Sequence, residues 1–478
     1  MRIALVNTNR IAPPVAPIGL DYVAEALEAS GHRTEILDLC WEERWEQAIA
    51  SFLRGGEIGL VGVSVRNTDD CSFATRQSFL PDVAAMVACL RRHTGAPIVL
   101  GGVGFSIMPE AVLAQCGADA GIWGEGEFPL ADLAGRLERN RPWDDLPALL
   151  VPRGGAWRRN PASFRSLADL PPMSRGFLDN RRYFREGGQA GIETKRGCPR
   201  LCIYCADPVA KGKRVRLRPP EAVADELARL VAMGIDHVHT CDSEFNIPED
   251  HAVAVCREIS RRGLGGRLRW YAYCAPVPFT AELADRMRRA GCAGINFGAD
   301  SGDDGMLARL RRAHRAEDLL RTVRLCRDAG ITVMLDLLIG APGETRESIA
   351  RTVEVMKEAD PDRVGVSVGV RVYPGTELAR MVAGGDEKTG LAGGDDPSHP
   401  VFFLDPEIAP FVFPLLDELT HGDSRFLFFD PSRPDRNYNY NANQVLVDAI
   451  RAGYRGAYWD ILRRCVTPES PGRPECGP

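Results

Sequence analysis

Apolar and polar positions along this chain follow two periods, and the switches between them mark out its elements. Short continuous apolar runs at 2–6, 34–37, 58–65, 97–101 and 118–122 read as buried parallel strands. Between them, apolar residues recur at helical spacing over 17–30 (Leu20, Val23, Ala24, Leu27), 43–52, 80–92, 109–116 and 129–137, and Gly31 stops the first helix. Strand alternating with helix predicts a Rossmann-like open parallel sheet, with ligands at the carboxyl ends of its strands. Two of those ends carry glycine-marked loops, Gly101-Gly102-Val103-Gly104 and Trp123-Gly124-Glu125-Gly126-Glu127, and a tight turn is explanation enough for either one alone.

Residues 140–191 break the alternation, with a hairpin predicted at 150–158 around Gly154-Gly155 and a turn at Pro171-Pro172. It then resumes with strands at 192–195, 235–240, 268–273, 294–298, 332–339 and 364–370, and helices at 220–233, 248–262, 281–290, 317–328 and 346–358. Six strand-helix units predict a partial (β/α)6 TIM-like barrel, open on one side, that carries function at the carboxyl ends of its strands. Gly and Asp dominate 384–399, which reads as a linker, whereas 401–464 is dense in aromatic residues and is expected to pack over the open side of the barrel. Most of those rings are core material. The segment Asn437-Tyr438-Asn439-Tyr440-Asn441 sets so many amides between rings that a polar pocket suits it better. The expected class is α/β, divided as an open-sheet domain at 1–139, a connector at 140–190, the barrel at 191–383, a linker at 384–400, a capping subdomain at 401–467 and a disordered tail at 468–478.

Composition narrows the partners. In 478 residues, 59 basic against 65 acidic side chains leave a net charge of -6, which argues against a nucleic-acid surface built on basic excess. No apolar run reaches membrane-spanning length, and the first residues start a strand rather than a signal peptide. The 14 cysteines are scattered, which fits a reducing, cytoplasmic compartment and metal ligation better than a disulfide framework.

The most specific chemistry lies just after the first barrel strand, where Cys198, Cys202 and Cys205 stand at the spacing Cys-x3-Cys-x2-Cys. Three thiolates can hold three irons of a [4Fe-4S] cluster and leave the fourth open to a chelating small molecule. Zinc would want a fourth Cys or His nearby, and the nearest histidines, His237 and His239, lie on the next strand. This loop, with Tyr204 before the last cysteine, resembles that of the radical S-adenosylmethionine (SAM) enzymes. The later strand ends resemble the same family: Asp242-Ser243-Glu244 for the methionine ammonium, Asp300-Ser301-Gly302 for the ribose (Asp300 where the family has Glu), Gly340-Ala341-Pro342-Gly343-Glu344 near the adenine, and Tyr373-Pro374-Gly375-Thr376 after the sixth strand. A carboxylate at such an end can equally cap a helix, as Asp303 or Glu344 would.

The N-terminal half is similar to the cobalamin-binding domain that precedes the barrel in a large subgroup of these enzymes. Gly19 and Leu20, Gly101 and Gly102, and Gly124, Glu125, Gly126 and Glu127 match that pattern by position, and the resemblance places them around the corrin and its nucleotide tail. The Asp-x-His-x-x-Gly motif that supplies a cobalt ligand elsewhere is absent; the domain holds only His32 and His93. Arg66 and Asn67, after the third strand, are then the candidates for the lower face of the cobalt, with pairing of Arg66 to Asp69 or Asp70 as the alternative.

The resemblance implies a transferase that moves a methyl or other alkyl group from SAM to a small molecule in natural-product biosynthesis. It also implies a [4Fe-4S] cluster, SAM and cobalamin as cofactors and an electron donor of flavodoxin or ferredoxin type, with no nucleic-acid or membrane partner. Within the family, the Thr194-Lys195-Arg196-Gly197-Cys198-Pro199 entry, the Asp242-Ser243-Glu244-Phe245-Asn246 segment and the Asn437-Tyr438-Asn439-Tyr440 tail resemble those of the tryptophan C-methyltransferases of thiopeptide biosynthesis and of the aminocarboxypropyl transferases of the arsinothricin pathway. The second implies 3-amino-3-carboxypropyl transfer to a soft nucleophile such as arsenite, for which Cys241 and Cys274, expected at strand ends facing one cavity, are soft partners. Tyr438 and Tyr440 are further substrate candidates. A cobalamin-binding protein without catalysis is the alternative of another class.

Overall fold

A computed structural model describes residues 1–384, 390–394 and 399–465. The first sheet holds β1 (Arg2–Asn7), β2 (Arg33–Asp38), β3 (Leu60–Ser64), β4 (Ile98–Gly101), β5 (Ala120–Ile122), β6 (Leu149–Arg153) and β7 (Ala156–Arg159), in the order β2-β1-β3-β4-β5-β6-β7. The first five run parallel and β6 and β7 antiparallel. Successive strand residues point to opposite faces. Ala4, Val6, Val61 and Val63 accordingly enter one buried cluster, and Ile3, Leu5 and Leu60 another. The sheet is covered on both sides, as continuous apolar strands require. The hairpin expected inside the connector is in fact the edge of this sheet, turning on Gly154 (φ 58°) and Gly155 (φ 80°). Paired φ values of this sign match the twist of the flanking strands.

The second half opens with β8 (Ala190–Ile192), followed by β9 (Lys195–Arg196) and β10 (Arg216–Leu217), which pair only with each other around the cysteine loop. It continues with β11 (His237–Thr240), β12 (Arg269–Cys274), β13 (Cys292–Asp300), β14 (Thr332–Ile339) and β15 (Arg363–Val368). Three short strands, β16 (Val370–Arg371), β17 (Leu391–Ala392) and β18 (Phe402–Phe403), form a small sheet, and β19 (Phe426–Phe428) follows. The barrel order is β8-β11-β12-β13-β14-β15-β19, all parallel. It therefore has seven strands rather than six. The seventh comes from the aromatic tail, where Phe426 and Phe428 are buried in the barrel's own core. The expected linker supplies β17, while 385–389 and 395–398 of it, and the tail at 468–478, lie outside the described residues.

The two halves meet through buried ion pairs. Arg175, with its side chain fully enclosed, bonds Glu226 at 2.5 Å, and Arg218 bonds the same carboxylate at 2.7 Å. Tyr22 of the first half donates its hydroxyl to Glu226 at 3.0 Å. Closer to the strand ends, Arg196 bonds Glu127 at 2.6 Å and Arg216 bonds Glu125 at 2.5 Å. These contacts bring the carboxyl edge of the first sheet against the carboxyl end of the barrel.

Candidate active site

The cysteine loop leaves β9 at Gly197, whose φ of 89° and whose close approach to the Arg214 carbonyl exclude any side chain. Cys198, Cys202 and Cys205 line one cavity of about 170 Å³ together with Ser243, Glu244, Cys274 and Arg312. Burial raises all three thiols, Cys198 to about 11. Among the described residues no three His, Cys, Asp or Glu converge on a point where a single ion would sit. A cuboidal cluster asks for something else, since each thiolate takes its own iron. Arg312, which no sequence signal singled out, directs Nη1 at Cys202 Sγ (3.1 Å). A donor and a positive charge beside a ligating sulfur suit a cluster, whose thiolates bring negative charge into a buried place. The residues present thus fit a three-cysteine [4Fe-4S] site.

The strand-end residues divide. Tyr204 and Asp300 line a second, larger cavity of about 720 Å³ that opens between the barrel and the first sheet. Asp300 sits at φ 62°, accepts from the Tyr204 hydroxyl (2.5 Å) and forms an ion pair with Arg312 (3.1 Å), so a strained backbone, one donor and one cation fix its carboxylate. Glu244 faces the cluster cavity, and its pKa is raised by burial although Arg200 bonds it at 3.3 Å. Ser243 donates to Asp207 in the same wall.

Three of the expected residues line neither cavity. Asp242 is buried and accepts from the Thr194 backbone (2.8 Å), the Thr194 hydroxyl and the Lys195 backbone, so its oxygens tie down the start of the cysteine loop instead of facing a ligand. Ser301 bonds Thr352 (2.9 Å) and the Asp303 backbone N–H (3.1 Å), away from both cavities. Gly340 is demanded by φ 104° and by Leu404, which occupies the space a side chain would need, and it lines neither cavity. Asp303 does cap a helix, accepting from the Met306 N–H, whereas Thr345 rather than Glu344 caps the next one.

Cys241 and Cys274 do not share a cavity. Cys241 lines the large one and Cys274, 2% exposed, lines the cluster cavity, so the paired-thiol argument for a soft substrate falls. Tyr438 and Tyr440 do line the large cavity, together with Tyr273 and Trp459. Sequence reading missed Asp336, Asn296 and His239 there. Asp336 is the single acid in an apolar strand, raised to about 7 by burial, with Oδ2 accepting from Asn296 Nδ2 (2.7 Å) and Oδ1 unpartnered. His239, lowered to about 4 by burial, is a neutral imidazole with Nδ1 2.7 Å from the Thr240 carbonyl.

On the first sheet, Gly19, Leu20, Gly101, Gly102, Gly124, Glu125, Gly126 and Glu127 all border one slot of about 160 Å³ between the helix Ile18–Ala29 and the strand ends. A side chain at Gly19 would meet nothing, so its absence there keeps the slot open. The apolar walls and glycine floor fit a flat cofactor tail. The carboxylates of Glu125 and Glu127 are held by Arg216 and Arg196, which leaves the loop's backbone to face the slot. Arg66 lines the large cavity, and both Arg66 and Asn67 border a third one. Arg66 pairs with neither nearby acid: Asp69 is taken by Arg371 (2.9 Å), and Asp70 accepts from Thr75 and the Ser72 and Gln77 backbone. His32 and His93 precede β2 and β4, at the opposite edge of the sheet.

Comparison with known proteins agrees with both halves. Residues 192–356 match the Radical SAM superfamily and residues 4–134 the B12 binding domain. The tryptophan 2-C-methyltransferase of Streptomyces laurentii is 37% identical over 444 residues, covering 80% of this chain and 74% of that protein. The solved radical SAM methyltransferase TsrM of Kitasatospora setae, holding tryptophan and a SAM analogue, superposes with a TM-score of 0.86 at 30% identity over 97% of each chain. The cobalamin-dependent radical SAM enzyme OxsB, at 17% identity and a TM-score of 0.69 over 84% of this chain and 64% of its own, shares the fold. A cysteine loop built for a cluster, a glycine-floored slot at the strand ends of the first sheet, and these likenesses together show that the chain belongs to the cobalamin-dependent radical SAM enzymes, as a methyl- or alkyltransferase that uses a [4Fe-4S] cluster, SAM and cobalamin.

Proposed function

We propose that this enzyme methylates a carbon of an aromatic amino acid of the tryptophan type. The observation that carries the reading is the large cavity, where Tyr273, Tyr438, Tyr440 and Trp459 present rings and Asn296 and Asp336 place polar atoms in the wall. Flat aromatic substrates pack well among offset or tilted rings, and a ring N–H or an ammonium needs a buried acceptor. Asp336, whose pKa burial brings to about 7, can hold or release a proton near neutrality, as a residue that accepts one from a substrate nitrogen must. The tryptophan methylation for which the Streptomyces relative is named and the tryptophan bound by the Kitasatospora enzyme support the same substrate class.

When bound, the cluster and cobalamin supply electron-transfer and alkyl-carrying chemistry that side chains do not offer. The chain's own residues hold and orient. Cys198, Cys202 and Cys205 would hold the cluster, and the glycine-floored slot and Arg66 would border cobalamin. Tyr204, Cys205, Asp207, Tyr273 and Asp336 line both the cluster cavity and the large one. SAM would lie along that shared wall, against Glu244 and Asp300. An electron donor of flavodoxin or ferredoxin type completes the proposal. The test is anaerobic incubation of reconstituted enzyme with SAM and tryptophan. S-adenosylhomocysteine and a methylated amino acid in equal amounts are expected, and both should vanish in the Cys198→Ala, Cys202→Ala, Cys205→Ala triple variant. Methylthioadenosine as the product, or no turnover of SAM, would overturn the reading.

A further inference from the structure

The three thiols of the cysteine loop do not meet the same kind of donor. Cys198 and Cys205 accept from backbone N–H groups, those of Arg200 and Asp207, which the turns of the loop itself provide. Cys202 is met by a charge, with Arg312 Nη1 at 3.1 Å from Sγ. A guanidinium with only 8% of its side chain exposed has to be carried to that place by other elements and compensated there.

The carrying is done by the turn after the helix Asp304–Arg309. Leu310 is buried beside Ile203 in one apolar cluster, and its carbonyl accepts from the Ile203 N–H (3.3 Å), which docks the turn on the cysteine loop one residue beyond Cys202. Arg312 N–H donates to the Leu307 carbonyl (2.8 Å), and Nη2 donates to the Gly298 carbonyl of β13 (2.5 Å). Compensation comes from Asp300 at the end of the same strand, whose carboxylate lies 3.1 Å from Nε. The other acid of the cluster cavity, Glu244, is paired with Arg200 (3.3 Å). One guanidinium, fixed at its backbone and at its tip, therefore bridges a cluster sulfur and the carboxylate of Asp300.

We propose that Arg312 is the positioning residue that sets the reduction potential of the cluster, holding it above the value that three thiolates and Glu244 would give alone. The inference rests on the three-cysteine cluster site. Reduction adds one electron and no proton, so the cluster gains one negative charge while no bond forms or breaks, and the electron comes from the carrier protein or, in the test, from dithionite. A fixed cation and an N–H···S bond stabilise the more negative state more than the less negative one, and the potentials of such clusters follow net charge and hydrogen bonds to the sulfurs. Asp300 acts with the opposite sign, because it draws on the same guanidinium. The pair trims the potential between the cluster cavity, which Arg312 lines, and the large cavity, which Asp300 lines.

The test is a dithionite titration of the anaerobically reconstituted enzyme before SAM is added, followed by electron paramagnetic resonance of the reduced cluster, with iron and sulfide content as the check on loading. Arg312→Gln keeps an amide donor and removes the charge. It should lower the equilibrium constant for reduction about tenfold or more, a fall of about 59 mV or more for one electron. Arg312→Lys, which keeps the charge, should fall between that variant and the parent. Asp300→Asn should shift the potential upward; its amide oxygen can still accept from Tyr204, and asparagine tolerates the φ of 62°. Loosened packing would move Arg312→Gln and Asp300→Asn the same way, so opposite signs separate charge from structure. A parental potential in Arg312→Gln, or shifts of one sign in both variants, would overturn the inference. If Arg312→Gln holds no cluster, Arg312→Lys and Asp300→Asn decide by the same signs. A parent without a [4Fe-4S] signal would instead strike the cluster assignment.

Discussion

Arg66 is the candidate side chain for the lower face of the cobalt. It stands at the carboxyl edge of the first sheet with no ion pair among the described residues and with Nη1 unpartnered. A guanidinium has no lone pair to give. Beside the lower face of a cobalt it would keep the metal short of a ligand, a condition that favours giving up an alkyl group as a cation. We expect the cob(II)alamin form of the parent to lack nitrogen splitting in its electron paramagnetic resonance and Arg66→His to acquire it; splitting in the parent would defeat the idea. At the same scale Asp242 warns against reading an acid by its neighbours in sequence. Its place in the Asp-Ser-Glu run suggests a ligand contact, yet two backbone N–H groups and a hydroxyl take its oxygens.

At the scale of elements, the turn between β14 and the helix Arg346–Ala359 is held by a buried carboxyl. Glu344 accepts from Ser348 Oγ and from the Gly340 N–H (3.3 Å), and burial raises it to about 7. An unfolded glutamate titrates near pH 4.3. Between that value and about 7 the folded chain keeps a proton that the unfolded chain has lost, so stability falls as pH rises through this window, by about 1.4 kcal/mol per unit, and is level above it. Glu344→Gln removes that dependence. Its thermal midpoint should match the parent at pH 4 and exceed it at pH 8, and a difference that does not grow with pH would count against the assignment. The tail teaches a related lesson, because β19 joins the barrel by pairing Val364 with Phe426 and Val366 with Phe428. Three residues are too few for a strand signal, and only the partner strand makes them one.

Across the whole molecule, the junction of the two halves carries the largest electrostatic stake. Arg175 and Arg218 both bond Glu226, and Tyr22 reaches it from the other half. Removing one member of a buried pair leaves a charge without compensation, which costs about 3–5 kcal/mol. Arg175→Ala should therefore lower the unfolding midpoint strongly, while replacing the triad as a unit, Arg175→Met and Arg218→Met with Glu226→Leu, should recover much of the loss; equal stability of parent and single variant would show that the cluster is not a stabilising joint. The two α/β halves are legible in the residues alone, because apolar periods of two kinds and glycine at sharp turns are local properties. So are the cysteine loop and the glycine loops, since their spacing is the chemistry they serve. Packing alone reveals that Cys241 and Cys274 face different cavities, that Asp336 inside an apolar strand lines the large one, that Glu125 and Glu127 are held by arginines, and that alternate residues of 438–441 border two cavities. Each of these depends on which distant groups satisfy a polar atom, and that is fixed by packing between elements far apart in the chain.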